Sequence, residues 1–229
     1  LDAARRVHDR HQNLIVAATG TGKTVVAAFD YARLCRERQA ESPGAPRPPL
    51  LFVAHRKEIL QQSRRTFCEV LKDASFGEFL VDGRKPTEGK YVFASVQSLS
   101  RIDQTALGAE DFEVVIVDEF HHAQAATYQA FLDYLKPKEL LGLTATPERA
   151  DGHNVQETFF GGRSTAELRL WDALDRGLLS PFHYFGIADG TDLTNVPWQR
   201  SGYQISELSK VYSGNDIRAR LVEQQIRDK

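Results

Sequence analysis

Between Leu14 and about Thr146, short apolar runs alternate with longer segments whose apolar residues recur at helical spacing. Such alternation is typical of βαβ units and of a mainly parallel sheet. The predicted strands are Leu14–Ala18, Leu50–Ala54, Glu78–Val81, Tyr91–Val96, Glu113–Asp118 and Leu140–Ala145. The predicted helices are Lys23–Arg38, Lys57–Leu71, Ser98–Leu107 and Ala125–Leu135. We therefore expect an α/β fold in which helices flank both faces of a doubly wound sheet.

The pattern of apolar positions changes in the last third of the chain. Within Ala166–Ile187 it predicts an edge strand, a short helix and another apolar strand after Pro181. The segment Gln204–Arg227 has apolar residues at helical spacing and a candidate N-cap at Asn215. The apolar face of this last helical segment has no obvious partner in the sequence, so we interpret it as part of a second domain.

Two domains are therefore expected. Residues 1–185 would form the first domain, and residues 186–229 would form a linker and the start of the second. The chain starts at Leu1 with a charged helical pattern rather than a signal peptide, and it contains no methionine. We interpret this beginning as that of a fragment of a longer protein.

Composition and charge are those of an ordinary globular protein, with 41% hydrophobic residues, 26% charged residues and a net charge of -2. No apolar run approaches the roughly 18 residues that a membrane-spanning helix requires. Cys35 and Cys68 lie in predicted helices without metal-ligand spacing, which is typical of reduced thiols in cytosolic proteins. We therefore expect a cytoplasmic protein without a membrane partner.

The stretch NLIVAATGTGKT joins an apolar strand to a loop of small residues. Such a loop lets backbone amides approach phosphates at the N-terminus of the following helix. Lys23 adds a positive charge for the β- and γ-phosphates, and Thr24 offers a hydroxyl to Mg²⁺. Ala17 stands where the general pattern G-x-x-x-x-G-K-[ST] has its first glycine, but a plain glycine turn would need neither Lys23 nor Thr24. The predicted phosphate-binding residues are Thr19, Gly20, Thr21, Gly22, Lys23 and Thr24.

A second motif, VVIVDEFHH, is an apolar strand that ends in two carboxylates. Ligands of open parallel sheets bind at the carboxyl ends of strands, so Asp118 and Glu119 should lie at the same edge as the phosphate loop. Asp118 can hold Mg²⁺, and Glu119 can orient or deprotonate an attacking water. A solvated acidic strand end is the alternative. His121 and His122 are a poor zinc site, because neighbouring residues point in different directions and no third ligand follows at suitable spacing.

Together these motifs resemble those of the superfamily 2 helicases and translocases of the DExH type. AATGTGKT resembles motif I of that family, in which alanine at the Ala17 position is common; DEFH resembles motif II and LTAT resembles motif III. LFVAHRKEILQQ looks like motif Ia, and FASVQSL looks like the neighbouring motif that contacts nucleic acid. The resemblance covers the first of two RecA-like motor domains, to about Phe185.

The resemblance implies a RecA-like P-loop NTPase with ATP and Mg²⁺ as its ligands. Lys23 and Thr24 would bind the phosphates and the metal, Asp118 would also hold Mg²⁺, and Glu119 would be the catalytic base. The residues that would couple the state of the nucleotide to the affinity for nucleic acid are His121, Thr144 and Thr146. Without the resemblance, the two threonines can be interpreted simply as hydroxyls that cap a strand end.

A nucleic-acid site must be local, because the chain is not basic overall. Arg56 and Lys57 open a predicted helix directly after a strand, where two cations and free amides can bind a phosphate backbone. Gln97 and Ser98 follow another strand. The basic residues of the loop GRKPTEGK are a further candidate, although solvated surface charge also accounts for them. Phosphate contacts contain no sequence information, so we expect binding with little sequence preference.

Within the family, TATPERADG and DEFHH resemble the motors of type I and type III restriction enzymes and DNA-repair helicases more than RNA-unwinding DEAD-box proteins. This resemblance favours DNA as the partner. Type I and type III restriction motors translocate on duplex DNA without fully separating its strands, so the resemblance implies a helicase or a translocase. It also implies a second RecA-like domain with an arginine finger, which is worth a factor of about 10³ to 10⁵ in phosphoryl transfer. We therefore expect the 229 residues alone to bind nucleotide weakly and to hydrolyse it very slowly.

Two other functions remain compatible with a phosphate loop. One is a nucleotide-dependent switch or binding module that does not move along nucleic acid. The other is a small-molecule kinase, which needs an acceptor pocket and a lid, and no lid-like arginine cluster follows the loop. The motif Ia and VQSL segments favour the motor, because neither alternative requires a nucleic-acid track.

Overall fold

The structure is a computed structural model that describes residues 1–9, 11–101, 111–122, 131–132, 134–148, 154–184, 190–199, 202–213 and 216–227. The chain divides into two compact units, Leu1–Ser180 and Pro181–Lys229. This division does not test whether residues 186–229 begin a second motor domain, which stays a prediction. No helix within the described ranges combines the length and the apolar character needed to cross a membrane.

In the first unit, the described residues form a sheet of seven strands. The strands are β1 (Gln12–Ala17), β2 (Leu50–Ala54), β3 (Glu78–Leu80), β4 (Tyr91–Ser95), β5 (Val114–Asp118), β6 (Glu139–Thr144) and β7 (Ala166–Leu168). Their order is β3-β4-β2-β5-β6-β1-β7, and every neighbouring pair is parallel. All seven carboxyl ends therefore lie at one edge of the sheet, and the predicted α/β fold with a mainly parallel sheet is confirmed.

Helices follow most of these strands. In the first unit they are α1 (Asp2–His8), α2 (Lys23–Glu41), α3 (Lys57–Leu71), α4 (Val96–Leu99), α5 (Val155–Phe160) and α6 (Leu170–Asp175). The second unit contains the antiparallel pair β8 (Trp198–Gln199) and β9 (Gly202–Tyr203), followed by α7 (Ile205–Tyr212) and α8 (Asp216–Arg227).

The central strands are mainly apolar because they are buried on both faces. In β1, Leu14 and Val16 belong to the core on one face of the sheet, and Ile15 and Ala17 belong to the core on the other. A continuous apolar run is the expected pattern for a strand of a parallel sheet with helices on both sides. The phosphate loop after β1 is thus attached to a rigid strand.

Several predictions differ from the structure by more than a few residues or lie outside its described part. The predicted helix Ser98–Leu107 begins earlier and is the short α4, and residues 102–110 lie outside the described ranges. Most of Ala125–Leu135, and the candidate cap Asn215, also lie outside them. The predicted strand after Pro181 was wrong for residues 181–184, which form no strand. Their alternating aromatic pattern favours extended backbone, but a strand also needs a partner edge.

Candidate functional site

The phosphate loop runs from the end of β1 directly into α2. Gly20 and Gly22 have φ angles of +88° and +85°, a region that residues with a side chain rarely adopt. Within the loop, the Thr21 amide and hydroxyl donate to the carbonyl oxygen of Ala18 at 3.3 and 2.7 Å. The two glycines therefore have a conformational reason to be glycine, which supports a tight turn before the helix N-terminus.

Lys23, the first residue of α2, folds back over this loop. Its Nζ donates to the carbonyl oxygens of Ala17 and Ala18 at 2.9 and 3.5 Å. These partners are neutral, so hydrogen bonding leaves the ammonium charge uncompensated. Burial raises the pKa of Asp118 at the end of β5, and the charge of Lys23 opposes that shift.

The ends of β1, β6 and β5 lie side by side. Val16 pairs with Thr144, and Asp118 pairs with Leu143, so the three strands end at nearly the same level. The sheet therefore brings together the predicted phosphate loop, motif II and motif III, which are distant in the sequence.

Asp118 is half-buried at the end of β5, and burial is the main cause that raises the pKa of its carboxyl group. The neighbouring charge of Glu119 raises this pKa further, whereas the Glu119 amide, which donates to Asp118 Oδ1 at 3.0 Å, and Lys23 lower it. The donors and cations around Asp118 therefore do not fully balance the negative charge of its ionised carboxylate. A bound divalent cation would stabilise that charge. Oxygen donors of Asp118 and Thr24 fit Mg²⁺.

No group of three or more His, Cys, Asp or Glu side chains within the described residues could hold a metal ion. This small number of protein ligands is ordinary for Mg²⁺ bound together with nucleotide phosphates, because Mg²⁺ keeps several waters. The side chain of His122 lies outside the described part of the chain.

Glu119 adopts a left-handed conformation with φ of +52°. Its Oε2 lies 3.3 Å from His121 Nδ1, and the same nitrogen lies 3.1 Å from Thr144 Oγ1. The Thr144 hydroxyl donates to the carbonyl oxygen of Thr146 at 3.0 Å and accepts the Thr146 amide at 3.2 Å. Because the only hydroxyl hydrogen of Thr144 is used in this way, His121 Nδ1 acts as the donor. A continuous polar path thus joins the predicted base to motif III.

Phe120 fixes the turn that displays these side chains. Its ring is completely buried, with centroids 5.2 and 4.9 Å from those of Phe159 and Phe160. A Cβ on Gly142 would lie 2.9 Å from Phe120 and 2.8 Å from Phe160, so a glycine in β6 makes room for these rings. Sequence reasoning missed this role, although the glycine inside the apolar run LLGLTA is an unusual position that could have pointed to it.

Leu179 and Leu168 also contact the phosphate loop and were not predicted. A Cβ on Gly20 would lie 3.2 Å from Leu179 Cδ2, and the Ala18 amide donates to the Leu168 carbonyl oxygen at 2.9 Å. Both contacts come from β7 and the segment that follows it. Neither contact has a signal in the sequence, because the pairing of β7 with β1 spans about 150 residues.

The predicted nucleic-acid residues lie at the ends of β2 and β4, which are neighbours in the sheet. Arg56 immediately precedes α3 and is exposed, and its guanidinium group has no hydrogen bond or ion pair with any described residue. Lys57 Nζ lies 2.9 Å from Asp82 Oδ2. Gln97 Nε2 lies 3.4 Å from a ring nitrogen of His55.

Ser98 is held inside the short helix α4. Its amide donates to the Ser95 hydroxyl at 3.2 Å, and that hydroxyl donates to Ser98 Oγ at 2.9 Å. The structure thus groups the nucleotide residues at the ends of β1, β6 and β5, and the basic and amide residues at the ends of β2 and β4. The roles assigned to individual residues stay predictions.

Comparisons with known proteins agree with this arrangement. A family model named ResIII and described as "Type III restriction enzyme, res subunit" matches residues 2–149. A type I restriction enzyme subunit, the EcoAI endonuclease subunit of Escherichia coli, is 27% identical over 191 residues, covering 79% of this chain and 22% of its own length. IRC3 of Saccharomyces cerevisiae, classed as an ATP-dependent helicase, is 24% identical over 210 residues, covering 87% of this chain and 29% of its own.

Among solved structures, a fragment assigned as the HsdR subunit of a type I restriction enzyme from Vibrio vulnificus YJ016 is 26% identical, with a TM-score of 0.56. This similarity covers 76% of the present chain and 29% of that chain. The present chain therefore spans between a fifth and a third of the length of these relatives.

Proposed function

Because the chain belongs to the ResIII family, which is described as the res subunit of type III restriction enzymes, we propose that it is the first motor domain of an ATP-dependent DNA translocase or helicase. One observation supports this function above all others. Lys23 after β1 and Asp118 at the end of β5 lie at one edge of the sheet, separated by the end of a single intervening strand, β6. A magnesium nucleotide requires a cation that binds its phosphates and a carboxylate that binds its metal. Lys23 and Asp118 offer these two groups at one edge of the sheet.

The residues of the site then have distinct tasks. Lys23 would leave the carbonyl oxygens of Ala17 and Ala18 and bind the β- and γ-phosphates. Thr24 and Asp118 would hold Mg²⁺, which supplies the charge that neutralises the phosphates in the transition state. Glu119 would accept a hydrogen bond from the attacking water and remove its proton.

His121 would restrain Glu119 in this geometry. The distance from His121 Nδ1 to Thr144 Oγ1 is 3.1 Å, so a shift of motif III also shifts the partner of the base. The path from Glu119 through His121 and Thr144 to Thr146 thus offers a physical route from the nucleotide to the rest of the sheet edge. A switch without a track has no need for such a path beside a second basic surface, which favours the motor.

We assign the nucleic-acid contacts to the surface formed by Arg56, Lys57, Gln97 and Ser98. These residues offer cations, an amide and a hydroxyl at two adjacent strand ends, which suits a sugar-phosphate backbone better than base edges. Restriction enzymes act on DNA, and both the family description and the Escherichia coli relative are of that class. DNA, bound with little sequence preference, is therefore the proposed track.

A second RecA-like domain, following from residues 186–229, is part of the proposal. It would close over the nucleotide and supply an arginine finger, with an effect on rate of about 10³ to 10⁵. The 229 residues alone would accordingly turn ATP over very slowly.

The test is ATP hydrolysis by the complete protein without polymer, with single-stranded DNA, with duplex DNA and with RNA. We expect strong stimulation by DNA that Lys23→Ala abolishes. A rate indifferent to every polymer would favour the nucleotide-dependent switch instead, and stimulation by RNA alone would make RNA the track.

A further inference from the structure

Lys57, one of the proposed backbone contacts, is held by an acid from another strand end. Its Nζ lies 2.9 Å from Asp82 Oδ2, and the two side chains are 46% and 65% exposed. The side chain of Arg56, the preceding residue, has no hydrogen bond or ion pair with the described residues. The two cations that begin α3 are therefore in different states: one is available to an anion, and the other is already neutralised.

The position of Asp82 is fixed by a tight turn after β3. Asp82 and Gly83 both have positive φ angles, +52° and +79°, and the Arg84 amide donates to the Val81 carbonyl oxygen at 2.9 Å across them. Asparagine suits such a left-handed position at least as well as aspartate does. The turn therefore accounts for a small polar residue at this position, but it does not require a negative charge.

The ion pair also spans the proposed track. In the sheet order β3-β4-β2, Asp82 follows β3 and Lys57 follows β2, while β4, which precedes Gln97 and Ser98, lies between them. A phosphate backbone that contacts Gln97 and Lys57 must pass close to the Asp82 carboxylate. The two anions then compete for one ammonium group.

We propose that Asp82 is a built-in competitor that occupies Lys57 in the absence of nucleic acid and limits how tightly the phosphate backbone binds there. This inference rests on the proposed nucleic-acid surface. A pair as exposed as this one stabilises the fold little, so a phosphate can displace it. A motor that releases and rebinds its track in each cycle gains from a contact that is easily broken.

Removing the negative charge of Asp82 should change DNA binding in two measurable ways. Asp82→Asn keeps the turn but frees Lys57, so binding to DNA should become about two- to five-fold tighter at low salt, the range expected for losing one exposed ion pair. The plot of log K against log salt should become steeper by up to about one unit, because one more phosphate is neutralised. Both effects should appear without a change in the thermal unfolding midpoint.

The experiment measures binding of the complete protein, without nucleotide, to labelled single-stranded and duplex DNA between about 50 and 200 mM salt. The variants are Asp82→Asn, Lys57→Ala, Arg56→Ala and the double variant Lys57→Ala with Asp82→Asn. Glu88→Gln is the matched control, since it removes one exposed negative charge from the same connection between β3 and β4. We expect Glu88→Gln to bind like the wild type, and Asp82→Asn to have no effect once Lys57 is alanine.

Each outcome distinguishes the inference from the proposed function. If Lys57→Ala weakens binding but Asp82→Asn leaves it unchanged, the competitor role is wrong and the proposed surface stands. If Asp82→Asn tightens binding equally in the Lys57→Ala background, or Glu88→Gln tightens it as much, the effect is general electrostatics and the inference is again overturned. If neither Lys57→Ala nor Arg56→Ala alters binding, the proposed surface itself is wrong.

Discussion

His121 Nδ1 lies 3.1 Å from the Thr144 hydroxyl oxygen, which joins motif II to motif III through one side-chain contact. Thr144 is completely buried, and its hydroxyl also bonds both backbone groups of Thr146. The contact therefore fixes the position of the motif III loop relative to Glu119, whose carboxylate lies 3.3 Å from the same ring nitrogen.

Replacing Thr144 by valine should uncouple ATP hydrolysis from nucleic acid. Valine keeps the shape of threonine but removes the hydroxyl, and because Thr146 is exposed, water can replace the lost partner. The cost should therefore be about 0.5–1.5 kcal/mol of stability, the usual net contribution of a hydrogen bond. We expect ATP binding to remain and the ratio of DNA-stimulated to basal hydrolysis to fall. A variant with normal stimulation would show that the path through Thr144 is only structural.

Gly142→Ala should destabilise the fold by about 1–3 kcal/mol, the usual cost of overpacking a core. Its Cβ would meet Phe160, Leu14 and Phe120 within 2.8–2.9 Å. Denaturant unfolding measures this loss, and Gly202→Ala is the control, because a Cβ there meets nothing within 4 Å and no positive φ is involved. Equal stabilities of the two variants would contradict the packing described for Phe120.

Asp118→Asn should stabilise the protein in the absence of nucleotide. Burial and the charge of Glu119 raise the pKa of Asp118, so its ionised form lowers the stability of the fold at neutral pH. That penalty begins as pH rises above the unfolded value of about 4 and is complete above the raised pKa of the folded state. The unfolding free energy should therefore exceed that of the wild type at neutral pH, and the difference should shrink as pH falls. Activity should be lost at the same time.

His11 should give the protein a pH dependence of the same sign, with stability lost as pH rises, but here the protonated form is stabilised by its partners. Hydrogen bonds to Glu139 and then Asp9 raise the pKa of His11, although partial burial opposes them. A histidine with a raised folded pKa contributes stability that is complete below its unfolded value of about 6.5 and is lost as pH rises through the folded value. His11→Gln should thus be destabilised near pH 5.5 and close to wild type near pH 9, about two and a half units above the unfolded value. If His11→Gln were instead close to wild type near pH 5.5 and destabilised near pH 9, the pair between His11 and Glu139 would not form.

Much of the fold was predictable because the central strands are buried on both faces and therefore read as uninterrupted apolar runs. The predicted strands at Leu50–Ala54 and Tyr91–Val96 agree with the structure to within one residue. The resemblance to superfamily 2 motors is confirmed by the family match over residues 2–149. The edge strand β7 has only three residues and two exposed positions, so its pattern alone is a much weaker signal.

The contacts that give the site its particular properties were not predictable. The Lys57–Asp82 ion pair and the packing of Phe120 against Gly142 both join elements about 25 residues apart, and periodicity contains no information on such pairs. The sequence also does not indicate the left-handed backbone conformation of Glu119, since glutamate rarely adopts it. Motifs identify the residues of the site, whereas tertiary structure determines their partners.

The most direct test of the motor-domain account is ATP binding and DNA-stimulated ATP turnover by the complete protein carrying Glu119→Gln. The amide keeps the size of the side chain but cannot accept a proton, so turnover should fall by about 10²–10⁴-fold, the usual contribution of a general base, while ATP binding stays at the wild-type level. Lys23→Ala should lose both. Turnover by Glu119→Gln close to that of the wild type would contradict the assignment of Glu119 as the base and the mechanism built on it.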